Sequence, residues 1–162
     1  MIFRIGFGYD VHRLAEGESL WLGGILVPHQ KGTVAHSDGD VLIHAICDAM
    51  LGAAKLRDIG YHFPDNSTDF ENIDSKILLK KTNELLSGKG YAIGNIDATI
   101  AAQKPKLKDY IPMMEDKLAE VLGVDSDVVS VKATTTEKLG FEGREEGISA
   151  YATVLIQKKN QD

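Results

Sequence analysis

One cysteine in 162 residues leaves no partner for an internal disulfide, so Cys47 argues for a reducing compartment. No stretch approaches the ~18 consecutive apolar residues of a membrane span, which excludes a helical integral membrane protein. Basic residues are in deficit: Lys plus Arg is 18 against 24 for Asp plus Glu, a net charge of −6. With a pI near 5.3, the chain lacks the electrostatic footprint of a nucleic-acid binder. Phosphate ligands are not excluded, because one local site can oppose the global sign. Internal repeats, low-complexity tracts and Pro/Ser-rich linkers are missing as well. The opening Met1-Ile2-Phe3-Arg4-Ile5-Gly6 lacks the basic region and long apolar region of a signal peptide, and a cytoplasmic location is the expectation.

What is present is ordinary globular composition. Hydrophobic residues at 43% and charged residues at 26% place the chain among folded proteins rather than disordered ones or coiled coils. The length fits about one domain of ~100–200 residues, taken as 1–162.

Ile2 to His12 begins with apolar alternation and carries Gly6 and Gly8, which reads as a strand with close backbone approach. Ser19 to Val27, interrupted by Gly23-Gly24, reads as a second strand or a hairpin arm, and Pro28 to Thr33 as loop. Ser37-Asp38-Gly39-Asp40 resembles a capping box with Ser37 as the cap. The apolar stripe Val41, Leu42, Ala45, Ile46, Ala49, Met50 and Ala53 follows it as the clearest helix. Arg57 to Ile73 reads as a long loop, Asp74 to Leu86 as a helix, and Ile93 to Ala102 as a strand with Ile96, Ala98 and Ile100 on one face. Pro112 and Gly123 bracket a third helix from Tyr110 to Leu122. Strands at Val128 to Ala133 and Ile148 to Ile156 flank a polar segment, Thr134 to Gly147. The order is an α+β pattern: a small mixed sheet of four to five strands with helices on one face. A sheet this small leaves its other side poorly covered, so oligomerisation is expected.

Several clusters carry chemistry. Asp10 and His12 alternate on a strand and project from the same face, and His44 sits on the first helix one turn before Asp48. Two imidazoles and a carboxylate with an open position form a recurring catalytic zinc arrangement; the plainer reading is unrelated surface groups. His36 to Asp40 offers a polar helix N-terminus to an anion, or simple capping. Asp58-Ile59-Gly60 and Phe63-Pro64-Asp65-Asn66 are also ordinary turn formers, and Gln103-Lys104-Pro105-Lys106 fits either a phosphate contact or a solvated turn. Lys132 to Phe141 sends Thr134, Thr135 and Thr136 off a strand together, followed by Glu137, Lys138 and Gly140. Hydroxyls and amides in a tight bend suit phosphate oxygens, Glu137 suits a hard cation, and Arg144 is a further phosphate candidate. The order of a Walker P-loop is absent. Cys47 reads as a small buried hydrophobe, His29 and His62 as exposed loop residues, and Trp21 and the methionines as core or interface.

Each motif is weak alone, but their order resembles the 2-C-methyl-D-erythritol 2,4-cyclodiphosphate synthases over essentially the whole chain. The segments that carry it are Gly6 to His12, Ala35 to Asp40 with His44, Asp58 to Gly60 with Phe63-Pro64-Asp65, and Lys132 to Phe141. The resemblance implies a homotrimer with active sites between subunits. It also implies an intramolecular reaction in the non-mevalonate isoprenoid pathway. The 2-phosphate of 4-diphosphocytidyl-2-C-methyl-D-erythritol 2-phosphate attacks the β-phosphorus, and CMP leaves.

Carried over by position, Asp10, His12 and His44 match zinc ligands, and Glu137 matches the carboxylate for a second cation, Mg²⁺ or Mn²⁺. His36 and Thr135 match residues that stabilise the transition state, and Ser37 an erythritol-phosphate contact. Asp58, Ile59, Gly60, Phe63, Pro64, Asp65, Asn66 and Ser67 match the methylerythritol pocket. Ala102, Gln103, Lys104, Pro105, Lys106, Leu107 and Lys108, together with Thr134, Thr135, Thr136 and Glu137, match cytidine and phosphate contacts. Phe141 and Arg144 match further substrate contacts, and Asp48 is placed as a hydrogen-bonding neighbour of the metal ligands. Where the family often continues Phe-Pro-Asp with Thr-Asp-Pro, this chain has Asn66-Ser67-Thr68. The family's trimer implies an apolar cavity on the three-fold axis able to hold an isoprenoid diphosphate. Two other readings use the same residues: a metal-dependent phosphoesterase that activates water, and a non-catalytic trimeric nucleotide-binding module.

Overall fold

In the computed structural model, which describes residues 2–159, the first strand, β1 (Phe3–Glu16), runs longer than its alternation predicts. It is followed by β2 (Leu20–Leu22), β3 (Ile25–Val27), β4 (Lys31–Val34), α1 (Val41–Ala53) and α2 (Ile59–His62). Then come α3 (Ser75–Gly88), β5 (Tyr91–Ala101), α4 (Ile111–Leu122), β6 (Val129–Thr134), α5 (Gly140–Gly143) and β7 (Gly147–Lys158). Five strands form one mixed sheet in the order β4-β1-β7-β5-β6, antiparallel except for the β5–β6 pair, which α4 bridges as a crossover. Among the described residues no helix is long and apolar enough to cross a membrane.

The segment Ser19 to Val27 is a hairpin standing outside that sheet. Gly23 and Gly24 both have positive φ, +59 and +78, as a two-residue type I′ turn requires. The stretch expected as loop before the first helix contains β4, which pairs Lys31 to Val34 with Arg13 to Glu16 at the sheet edge. Its Gly32-Thr33 lacks the apolar alternation that marks a strand, so pairing rather than patterning defines it. The long loop after α1 also holds more order than its composition predicts: α2 and a 3-10 turn at Thr68–Phe70.

The cap of α1 is Asp40 rather than Ser37. Its carboxylate is wholly buried and accepts the N–H groups of Ile43 at 3.0 Å, Gly23 at 3.0 Å and Gly24 at 2.7 Å. Burial pushes this carboxyl above its ordinary range, while the Gly24 and Ile43 amides pull the other way. One residue thus caps the helix and clasps the hairpin turn onto it.

The helices lie on one face of the sheet. α1 packs on β1 and β7, α4 on β6, and α3 against both helices. Ile96, Ala98 and Ile100 face them and are buried, as are Ile148, Ala150, Ala152, Val154 and Ile156 of β7. On β1 the same face is built from Gly6 and Gly8. A Cβ at Gly6 would lie 1.8 Å from the Ala49 carbonyl oxygen, and one at Gly8 1.9 Å from that of Ala45. α1 therefore rests its backbone directly on the strand. The opposite face is bare: Phe3, Ile5, Phe7, Tyr9 and Val11 of β1 and Tyr151 of β7 are all exposed, Ile5 and Phe7 at 65% each. Of the methionines, Met50 and Met114 lie in the core, and Met113 is on the surface.

Replacing Gly8 with Ala should lower unfolding stability by at least the ~1–3 kcal/mol of an overpacked core, because the obstacle is helix backbone; urea denaturation checks this. Cys47 is fully buried on α1, and burial pushes its thiol up to about 12. A thiol reagent at pH 8 should therefore label it only after denaturant is added, and rapid labelling of the native protein would contradict that placement.

Candidate functional site

The alternation that puts Gly6 and Gly8 beneath α1 continues with Asp10 and His12, so these face the same side near the start of the helix. His44, one turn into α1, meets them there. Its Nδ1 lies 3.1 Å from Asp10 Oδ2, and the two imidazole centroids are 5.2 Å apart. One ligand atom from each of Asp10, His12 and His44 falls within 4.8 Å of the others. That spacing suits a shared divalent cation.

The hydrogen bonding fits such an ion. His12 Nδ1–H donates to the Val11 carbonyl at 2.6 Å, which leaves Nε2 as the lone-pair nitrogen. Nε2 is buried and has no hydrogen-bond partner among the described residues. An orphaned imidazole lone pair beside a carboxylate and a second imidazole is what a metal ligand set leaves behind. Burial lowers the tendency of His44 to hold a proton, but the hydrogen bond and charge of Asp10, with Asp40 and Asp38, more than reverse this and raise its pKa. His44 Nε2 lies 2.9 Å from Ser75 Oγ and 3.4 Å from Ser37 Oγ.

These three residues line a cavity of about 240 Å³ with His36, Ser37, Ile59, Gly60, Phe63 and Asp65. Phe70, Ile73 and Leu78, which sequence reasoning did not single out, close it with apolar surface, and Phe63 and Phe70 meet edge to face at 5.5 Å. Leu78 is legible as an apolar position of α3; nothing in the sequence marks Phe70. His36 is exposed; it also lines an adjoining hollow with Asp65, Asn66 and Ser67. Asp58 is exposed just before α2, and Pro64 is exposed after it. Asp48 is engaged elsewhere than at the ligands: its Oδ1 accepts the Ile59 N–H at 2.8 Å and so anchors α2 at the cavity edge. Burial raises the Asp48 pKa, and the Ile59 amide opposes that shift. His62, expected as an exposed loop residue, is half-buried on α2 and donates to the Leu56 carbonyl at 2.7 Å.

The remaining predicted residues gather elsewhere. Ala102, Gln103, Pro105, Lys106, Leu107, Lys108, Thr134 and Thr135 line a second, more open cavity of about 450 Å³ at the end of the β5–β6 pair. Lys104 is exposed on the same loop. Beyond β6 the chain turns sharply, with Glu137 and Lys138 both left-handed at φ +54 and +64. Such conformations cost ~1–3 kcal/mol each for non-glycine residues. The turn is held by Thr136 Oγ1, which donates to the Leu139 carbonyl at 2.6 Å, and by Gln103 Oε1, which accepts the Lys138 N–H at 3.1 Å. Glu137 is exposed and stands outside the Asp10–His12–His44 cluster. Lys132 pairs with Asp97, and Arg144 pairs with Glu146 through two hydrogen bonds of 2.9 and 3.2 Å. Phe141 is half-buried beside Gly147. Within one chain, then, the Asp10–His12–His44 cluster and the threonine–lysine surface occupy different cavities.

The sequence profile of the YgbB family matches residues 3–157. A relative from Bacteroides fragilis, named 2-C-methyl-D-erythritol 2,4-cyclodiphosphate synthase, is 70% identical over 158 residues, covering 98% of this chain and 99% of that protein. A relative of the same name from Bacteroides thetaiotaomicron is 66% identical with the same coverage. Among solved structures, the bifunctional IspDF of Campylobacter jejuni superimposes with a TM-score of 0.95 at 43% identity, covering 98% of this chain and 43% of that longer one. The Plasmodium falciparum IspF, solved as a CDP complex, gives a TM-score of 0.85 at 37% identity, covering 98% and 97%.

Equilibrium dialysis against zinc or cobalt should show one metal bound per chain. His12→Ala or His44→Ala should weaken binding by more than the ~10–100-fold that loss of an outer hydrogen-bond partner costs.

Proposed function

Because the chain belongs to the YgbB family of 2-C-methyl-D-erythritol 2,4-cyclodiphosphate synthases, we propose that it cyclises 4-diphosphocytidyl-2-C-methyl-D-erythritol 2-phosphate with release of CMP. This is phosphorus–oxygen lyase chemistry in the non-mevalonate route to isoprenoid precursors. The observation that carries the reading is the orphaned Nε2 of His12, buried beside Asp10 and His44 in a cavity whose other wall is apolar.

The nucleophile is a phosphate oxygen already on the substrate. It bonds to the β-phosphorus while the bond from that phosphorus to the α-phosphate bridging oxygen breaks, and CMP departs with the electron pair. No water enters and no side chain needs activation, so the protein's task is positioning and charge stabilisation. Two anions must meet, and their repulsion grows as water is excluded. Asp10, His12 and His44 would hold a zinc ion, which would supply Lewis acidity to the phosphates, and Glu137 would hold a magnesium or manganese ion, which would neutralise their charge. His36 and Thr135 donate to the phosphoryl oxygens as charge develops, and Ser37 orients the erythritol phosphate. Ile59, Gly60, Phe63 and Asp65 frame the methylerythritol unit, with Asp58, Pro64, Asn66 and Ser67 at its rim. Ala102 to Lys108 and Thr134 to Thr136 take the cytidine and its phosphates, in keeping with the CDP of the Plasmodium falciparum complex. Phe141 and Arg144 complete the contacts.

The two sets of residues occupy separate cavities, so a complete site needs a second copy of the chain. The bare apolar face of β1 and β7 supports a homotrimer in which one subunit's cation cluster faces its neighbour's threonine–lysine cavity. Three such faces around an axis would enclose an apolar channel suited to the prenyl tail of an isoprenoid diphosphate. The free buried thiol of Cys47 supports a cytoplasmic setting.

Incubation with the cytidyl substrate, zinc and magnesium, followed by mass spectrometry, should give CMP and the cyclic diphosphate in equal amounts. Orthophosphate in place of CMP would identify a phosphoesterase, and nucleotide binding without turnover a binding module. Asp10→Ala should abolish cyclisation. Sedimentation should give three times the chain mass of 17.7 kDa, and a monomer with full activity would overturn the shared site.

A further inference from the structure

We propose that Asp38 and Ser75 form a positioning pair that fixes the tautomer and orientation of His44, an inference that rests on the metal reading above. Ser75 opens α3 and is fully buried, and Asp38 lies in the turn that leads into α1. Three donors converge on the Asp38 carboxylate. The Ser75 N–H reaches Oδ2 at 2.8 Å, while the Ser75 hydroxyl reaches Oδ1 at 2.5 Å and the Asp40 N–H at 3.1 Å.

A serine hydroxyl has one proton, and here it is committed to Asp38. Ser75 Oγ also lies 2.9 Å from His44 Nε2, so in that contact the oxygen accepts and Nε2 carries the hydrogen. The neutral ring then turns its lone pair, on Nδ1, toward Asp10 Oδ2 at 3.1 Å. A lone pair and a carboxylate oxygen repel at that distance unless a proton or a metal cation lies between them. Once the ring is neutral, the pair therefore presents Nδ1, not Nε2, as the nitrogen free to bind a metal. Ser37 Oγ is too far at 3.4 Å to substitute fully, and it already accepts the Gly39 N–H at 3.2 Å. The chain Asp38–Ser75–His44–Asp10 joins four separate segments, so it locks the ring against rotation from outside α1. Outer partners of this kind set ring angle and basicity in metal-bound imidazoles.

The test is zinc affinity, read by competition with a chromophoric chelator, alongside the melting temperature of the metal-free protein. Ser75→Ala should raise the zinc dissociation constant by about 10–100-fold. A melting temperature that falls while zinc affinity stays at the wild-type value would assign the pair a purely structural role and overturn the proposal. Wild-type protein loaded with ¹¹³Cd provides a check independent of how the variant folds: the metal should couple to the His44 Nδ1 nitrogen, with a slowly exchanging proton on Nε2. Coupling through Nε2 would overturn the inference while leaving the metal reading intact. Wild-type protein that binds neither zinc nor cadmium would overturn the metal reading itself, and this inference with it.

Discussion

The site depends on how closely α1 approaches β1. With no side chain at Gly6 or Gly8, the helix backbone settles against the strand, and that contact sets the height at which His44 hangs over Asp10 and His12. Metal ligand distances tolerate errors of only about ±0.2 Å. A single methyl group at either glycine would displace the helix by far more. The second constraint is Asp40, whose buried carboxylate draws the hairpin turn and the first turn of α1 together through three backbone donors. A buried charge is tolerated only with such partners, so the hairpin is as much a part of the helix start as the cap itself.

Much of the architecture is legible in local pattern. Alternation marks β5, Pro112 and Gly123 delimit α4, and the apolar stripe from Val41 marks α1. The losses have physical reasons. Ser37 and Asp40 are both good caps three residues apart, and the choice between them is made by Gly23 and Gly24, which no local window contains. β4 is defined by its partner strand, not by its composition. In the site, the shared face of Asp10 and His12 follows from strand geometry alone, while the arrival of His44 depends on a contact that only the two glycines foreshadow. Ser75 directly follows Asp74, whose side chain caps α3, and a serine there looks like ordinary capping chemistry. The division of the phosphate-contacting residues between two cavities is invisible in motif order, which records sequence but not which surface each motif faces.

Charge is distributed against the global sign. The chain is net acidic, yet Lys106 and Lys108 border one cavity, and Lys104 stands on the same loop. Of the acidic residues lining the other cavity, Asp10 lies against two imidazoles and Asp65 is exposed, while Asp38 and Asp48 behind it are engaged by three donors and by a backbone amide. Carboxylates so engaged repel an incoming polyanion less than their number implies.

The pairing of β1 with β7 has a consequence for how the chain is made. Phe3 lies opposite Gln157, so the first strand of this domain borders its last. During synthesis, β1 with its exposed Phe and Ile side chains must wait for nearly the entire domain before its ladder with β7 can close. Topologies dominated by such distant contacts fold in milliseconds to seconds, rather than the microseconds of helical bundles, and leave bare edges open meanwhile. Until then the domain is most exposed to aggregation at its first strand.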